Sequence, residues 1–270
     1  MNGATASPVV VKLGGSVLTR KREEAKIRPK LIARLASELA EAPPGGLILL
    51  HGAGSFGHPG ALRYHLAEPA DPARSAHRAR GAALVSAEVR RLHGVVLRAL
   101  LDAGVNAWSV PPAVLALNRA GRLESLQSPP FADALSRGLV PVSFGDVVPD
   151  REWGFSILSA DSIAVALAPA MNVHRVLFVS DVDGVLRPRP GEPGRTEAIP
   201  RVDSQVVEKL TPSPGAPDVT GGIRGKALAM VALAEAGVDA GLISGLRHGA
   251  LSRALRGEMV YGSWSGPGSR

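Results

Sequence analysis

Two features of the chain predict an α/β fold with a mainly parallel central sheet. Short apolar runs rich in Val, Ile and Leu alternate with longer segments of helical spacing, and the turns between them are brief. Three glycine-bearing segments, at 9–16, 51–59 and 218–226, each follow or open a predicted element. Parallel sheets bind ligands at the carboxyl ends of their strands, which is where these loops fall.

Taken in order, residues 9–13 are an apolar, β-branched run that ends at Gly14-Gly15, the pattern of a buried strand. Residues 29–42 set Leu31, Ile32, Leu35 and Leu39 on one helical face, and Pro43-Pro44-Gly45-Gly46 stops the helix. Residues 47–50 predict a second buried strand running straight into His51-Gly52. A long amphipathic helix is expected over 82–103, closed by Gly104. A strand at 107–110, a short helix at 131–137 and a strand at 140–143 follow. Residues 147–155 read as a polar hairpin or lid around Asp150-Arg151-Glu152. Helices at 162–168 and 227–236 alternate with strands at 175–179 and 240–243, and 259–261 suggests a last edge strand. The stretches 187–200 and 211–217, rich in Pro, Gly and charge, read as surface loops over the second half of the site.

The chain has 270 residues, 45% of them hydrophobic, enough for one large domain or two lobes on a shared sheet. The absence of cysteine excludes disulfides, thiolate metal sites and a cysteine nucleophile. The first eight residues have neither the basic nor the apolar region of a signal peptide. No apolar run approaches the roughly 20 residues of a membrane helix. These features lead to the expectation of a cytoplasmic protein with no membrane partner. The net charge of +7 raises nucleic acid as a partner, but the charges are scattered and aromatics make up only 4% of the chain, so a solvated basic surface is the reading. Six lysines stand against 25 arginines, which gives weight to Lys12, Lys21 and Lys226 beside glycine loops.

Glycine turns backbone N–H groups toward a ligand and lysine adds a mobile cation, so several such loops suit a ligand with several phosphates. The segment Gly52-x-Gly54-x-x-Gly57 satisfies the dinucleotide-binding spacing by itself. Pro59 just inside the following helix, and the presence of further loops, argue against that use. The segment ending in Gly225-Lys226 is no Walker A loop, because Ala227 stands where a Mg²⁺-binding hydroxyl is required.

The motifs Lys12-Leu-Gly-Gly-Ser16, His51-Gly-Ala-Gly-Ser-Phe-Gly-His58-Pro59, Gly145-Asp146, Ser159-Ala-Asp161, Ser180-Asp-Val-Asp-Gly184 and Thr220-Gly-Gly-Ile-Arg-Gly-Lys226 occur in an order that resembles the amino acid kinase superfamily. Within it the chain is similar to the isopentenyl phosphate kinases, chiefly through Ser55-Phe56-Gly57-His58-Pro59. The resemblance implies a three-layer αβα sandwich, usually a homodimer. It also implies an N-terminal lobe (1–155) for the phosphate acceptor and a C-terminal lobe (156–270) for ATP, on one continuous sheet.

By that resemblance, Lys12 and the Gly14-Gly15-Ser16 turn contact the transferring phosphate and Lys21 stabilises the transition state. Ala53 and Gly54 cradle acceptor and ATP phosphates, His58 hydrogen-bonds the acceptor phosphate, and Gly154 borders it from the other side. Asp181, Asp183, Gly184, Gly222 and Lys226 line the nucleotide site. Mg²⁺ travels with ATP, and no protein metal site is expected. One departure is Ala53, where the family's usual triple glycine reads Gly52-Ala53-Gly54; a loss is expected only if that position needs positive φ. The implied reaction is ATP-dependent phosphorylation of isopentenyl phosphate to the diphosphate. The alternatives are a related phosphate or phosphonate kinase of the fosfomycin-kinase type, a carboxylate kinase, and a non-catalytic nucleotide-binding protein. Ala82, Ala83 and Ser86 are expected to line an apolar acceptor pocket, and His65, His77 and His93 to be surface or packing residues.

Overall fold

The computed structural model describes residues 7–20, 23–43, 45–189, 192, 194–210 and 222–269. In chain order its first half contains β1 (Val9–Leu13), α1 (Gly15–Leu18), α2 (Pro29–Leu39), β2 (Leu47–His51), α3 (His58–Arg63), α4 (Ser75–Asp102), β3 (Ala107–Ser109), β4 (Ala116–Arg119), β5 (Arg122–Leu126), α5 (Pro129–Ser136) and β6 (Val140–Phe144). Its second half contains β7 (Asp146–Asp150), β8 (Gly154–Leu158), α6 (Ala160–Ala170), β9 (Arg175–Ser180), β10 (Leu186–Pro188), β11 (Thr196–Ala198), α7 (Ser204–Lys209), α8 (Gly222–Glu235), β12 (Asp239–Ser244), α9 (Ala250–Leu255) and β13 (Gly262–Ser265).

Seven strands form the central sheet in the order β13-β12-β9-β1-β2-β6-β3, all parallel except β13, which runs antiparallel to β12. Alternation along the strands divides the core into two layers. Val10, Ile48, Leu50, Val176, Phe178 and Leu242 face one side, where Ile163 and Leu167 of α6 and Met230 and Leu233 of α8 cover them. Val11, Leu13, Leu49, Leu177, Val179 and Ile243 face the other, beneath Leu35 and Leu39 of α2, Leu92 and Val96 of α4, and Leu251 of α9. This is the three-layer αβα sandwich. Because β1 lies between β2 and β9, its end at Leu13 stands beside His51 and Val179, so three loops leave the sheet side by side.

The structure corrects several expectations. The long helix begins at Ser75, seven residues early, with Arg78 buried inside it. The surface loop expected at 187–200 carries an antiparallel pair, β10–β11. The last edge strand is Gly262–Ser265, not 259–261. The hairpin at 147–155 is β7–β8, and it joins β4 and β5 in a second, four-stranded sheet with order β5-β4-β7-β8. The loop expected at 211–217 lies outside the described residues.

Candidate active site

Two backbone turns interlock at the ends of β1 and β2. A Cβ added to Gly52 would meet the Gly15 nitrogen at 2.9 Å, and one added to Gly15 would collide with the Gly54 backbone. Gly54 also has φ +52°, so glycine is required there by both space and conformation. Thr19 locks the pair by donating to Gly15 O (2.8 Å) and accepting from Ser55 N (3.0 Å). Ala53, by contrast, has φ −75°, ordinary right-handed backbone. The alanine in place of the family's glycine therefore costs no strain. The N–H groups of Ala53 and Gly54 meet no acceptor among the described residues.

Beside this cradle, Asp161 joins two lysines from distant parts of the chain. Lys12 Nζ lies 2.7 Å from Asp161 Oδ1, and Lys226 Nζ lies 3.3 Å from Oδ2. Ser159 caps α6 by accepting from the N–H groups of Asp161 and Ser162 (3.1 Å each), which sets the carboxylate at the first turn. Burial would raise the Asp161 pKa, but the ammonium groups of Lys12 and Lys226 outweigh it and hold the carboxyl below its ordinary value. One carboxylate thus joins the two lysines beside the glycine loops. Lys226 also reaches the Gly222 carbonyl, 3.4 Å away at the start of α8.

Three of the expected nucleotide residues, Asp181, Asp183 and Gly184, follow the end of β9, while Gly222 and Lys226 lie on α8. Asp181 follows the strand, and Gly184 (φ +147°) has its Cβ position filled by Ser263 Oγ at 2.5 Å. Asp183 is engaged: Arg247 grips it bidentately at 2.7 and 2.9 Å while lying 4.7 Å over the ring of Tyr261. Hydrogen bonding from Arg247 holds the Asp183 carboxyl below its ordinary range. Of the residues expected to bind the acceptor, His58 opens α3, half-buried, one residue before Pro59. Gly154 opens β8 with φ +73°, and Arg78 secures its flanks by donating to the carbonyls of Trp153 (3.4 Å) and Phe155 (3.0 Å). Gly14 and Ser16 flank Gly15 in the first turn. Lys21 lies outside the described residues.

An apolar cluster adjoins Ala53, formed by Leu66, Ala82, Val85, Val89, Phe144 and Val147. Of the three small residues expected to line a pocket, Ala82 belongs to this wall. Ala83 turns to solvent, about 100° further round the helix, and that expectation is withdrawn. Ser86 instead donates to Asp146 Oδ1 (3.1 Å), whose other oxygen pairs with Arg90 at 3.2 Å.

The model of the amino acid kinase family matches residues 7–244. The chain belongs to the amino acid kinase family. Isopentenyl phosphate kinase of Methanothermobacter thermautotrophicus is 36% identical over 94% of this chain and 97% of that protein. An X-ray structure of isopentenyl phosphate kinase superposes with a TM-score of 0.82 at 33% identity, covering 95% of this chain and 99% of the other. A product complex of the Thermoplasma acidophilum enzyme gives 0.76 at 26% identity, covering 96% and 99%. Within the amino acid kinase family, the chain therefore groups with the isopentenyl phosphate kinases.

Some residues of this amino acid kinase escaped the sequence reading. Asp161 was visible only as part of a motif, with no role, because nothing local shows that two lysines converge on it. Arg247 and Arg78 carry no sequence signal, since Asp183 lies 64 residues from Arg247 and the Trp153 and Phe155 carbonyls lie 75 and 77 from Arg78. His93, expected to pack, is buried and hydrogen-bonded to His51. His77 is exposed and His65 is half-buried. Among the described residues no group of three His, Cys, Asp or Glu side chains is placed to hold a metal ion.

Proposed function

We propose that this amino acid kinase transfers the γ-phosphoryl group of ATP to isopentenyl phosphate, releasing ADP and isopentenyl diphosphate. The observation that carries the reading is the convergence of Lys12 and Lys226 on Asp161 beside the interlocked glycine turns. A phosphate monoester is ionised near neutral pH, so its oxygen can attack phosphorus without a general base. The bond from the γ-phosphorus to the β–γ bridging oxygen breaks as the new one forms. The obstacle is repulsion between two polyanions, which cations and fixed N–H donors relieve.

In this scheme the Ala53 N–H holds the acceptor phosphate and the Gly54 N–H lies between acceptor and donor phosphates. Lys12 follows the transferring group, and Lys21 stabilises the developing charge. His58 binds the acceptor phosphate opposite Gly154. Gly14, Gly15 and Ser16 border the γ-phosphate, while Asp181, Asp183, Gly184, Gly222 and Lys226 surround the nucleotide. Asp161 and Asp183 are tied to basic side chains, so Mg²⁺ would be held by the ATP phosphates, where it neutralises their charge. The halves 1–155 and 156–270 serve acceptor and nucleotide respectively. A cytoplasmic homodimer completes the reading. It is supported by the family resemblance and by the exposed Trp108 and Val114 near the open edge strand β3, and sedimentation would test it.

The decisive measurement is ATP-dependent phosphorylation across isopentenyl phosphate, dimethylallyl phosphate, fosfomycin and glutamate, with each product identified by mass. Isopentenyl phosphate should give the highest kcat/KM. A higher value for the phosphonate or the carboxylate would overturn the assignment.

A further inference from the structure

Beneath the glycine turn lies a chain of hydrogen bonds that the phosphoryl-transfer scheme does not use. His51, the last residue of β2, is fully buried and sets its Nδ1 3.1 Å from the carbonyl oxygen of Gly52. Its Nε2 lies 3.0 Å from Nδ1 of His93 on α4, and His93 Nε2 lies 2.8 Å from Ser109 Oγ on edge strand β3. The two imidazoles stack on one another, and against Phe144 His51 stacks while His93 tilts.

The positions of the protons follow from the ends of the chain. A carbonyl oxygen only accepts, so His51 Nδ1 carries a hydrogen. In a neutral ring His51 Nε2 is then the acceptor, and His93 must donate to it from Nδ1. That leaves His93 Nε2 to accept from the Ser109 hydroxyl. Reversing the chain would point the Nδ1 lone pair of His51 at the lone pairs of Gly52 O. The fixed tautomer is Nδ1–H on both rings, opposite to the form that dominates for free histidine. A second proton on His51 would set its Nε2–H against the Nδ1–H of His93, and one on His93 would turn the Ser109 hydroxyl from donor to acceptor. In keeping with this, burial lowers His51 to about pKa 4 and His93 to about 3, with Lys12 and Arg90 also disfavouring added charge.

Gly52 lacks a Cβ, so its own torsions do not fix the orientation of the peptide that follows. The planar trans peptide makes the Gly52 carbonyl and the Ala53 N–H point in opposite directions. Pinning that carbonyl on His51 therefore aims the Ala53 N–H away from the buried rings, and no described residue accepts it. We propose that the Ser109–His93–His51 chain is a positioning device for the phosphate loop, which holds the Gly52–Ala53 peptide with its N–H turned toward the acceptor phosphate. His93 and Ser109 are then positioning residues for a reaction they do not touch. This inference rests on the phosphoryl-transfer reading of the same loop.

Two experiments test it. Nitrogen-15 NMR of the histidine side chains at neutral pH should show His51 and His93 as neutral Nδ1–H tautomers, and the Ala53 amide should shift on titration with inorganic phosphate. Kinetically, His93→Leu should lower kcat/KM for isopentenyl phosphate about tenfold, the worth of one fixed hydrogen bond, and leave KM for ATP within about twofold. His93→Asn, whose amide N–H can take the place of Nδ1–H, should recover most of the loss, and Ser109→Ala should show a smaller one. An Nε2–H tautomer at His51 would overturn the proposal. So would a His93→Leu enzyme with unchanged acceptor kinetics, or one with equal losses for both substrates that His93→Asn fails to restore. If His93→Leu does not fold, Ser109→Ala and the wild-type spectra still decide. Failure of the wild type to phosphorylate isopentenyl phosphate would sink the proposed function alone, because the tautomers and the phosphate titration are read without turnover.

Discussion

Asp161 determines how two lysines can face a polyanion without repelling each other. Replacing it with Asn should destabilise the free protein by about 3 kcal/mol, the usual cost of leaving a buried charge unpaired. Saturating ATP should return part of that stability, since its phosphates supply the missing negative charge. Denaturant titrations with and without ATP read both effects, and a variant as stable as wild type in the absence of nucleotide would contradict this role. Ala53 offers a complementary test. Its φ of −75° needs no glycine, so Ala53→Gly should lose roughly 0.4–1 kcal/mol of stability by loosening the unfolded chain, with no gain in turnover. Improved kcat would show that the side chain had been in the way. Lys12 and the glycine turns were legible in the sequence because their residue types sit next to one another. The His51–His93 pair was not, because a contact across 42 residues leaves no local pattern.

The β7–β8 hairpin is held by one carboxylate. Asp150 accepts from the N–H groups of Ala120, Gly121, Glu152 and Trp153 and from Ser156 Oγ, at 2.7 to 3.1 Å. Burial alone would raise its pKa, but these donors pull it down to about 2. Its stabilisation is present above the unfolded value of about 3.9 and is lost as pH falls through about 2. Asp150→Ala should cost about 2–3 kcal/mol by orphaning those donors, measurable as a fall in denaturation midpoint; an unchanged midpoint would refute it. On α4, Ala82→Phe should disrupt the apolar wall and impair acceptor binding, whereas Ala83→Phe should leave kcat/KM unchanged. Equal effects would mean the helix faces have been misassigned. The buried strands were readable from continuous apolar runs. The β4–β5 pair was missed because 116–126 mixes charged and polar residues around Ala120-Gly121. Residues 75–81, dense in Arg and His, masked the first turns of α4.

Across the molecule, acid stability is a contest between buried groups of opposite tendency. His51 and His93 stay neutral in the folded state below their unfolded value of about 6.5, so their contribution is complete above that pH and declines as pH falls toward about 4 and 3. Asp146 acts in the other direction. Burial, outweighing Arg90, the Val147 N–H and Ser86, raises it to about 6, so folding is favoured as pH falls from there toward 3.9. Wild type should therefore lose thermal stability from pH 6.5 to 4.5, and Asp146→Asn, which removes the opposing contribution, should lose it more steeply. Parallel curves would show that Asp146 is ionised throughout. The sheet order has a further consequence, for how the chain is made. β1 leaves the ribosome before the other strands of this sheet, yet its second neighbour, β9, begins at Arg175. One edge of an apolar strand thus has no partner while more than half of the chain is translated. Contacts this distant in sequence slow folding, and an open apolar edge invites association between nascent chains. Fragments ending before Ser180 should then bind chaperone and aggregate, with solubility returning once β9 is included.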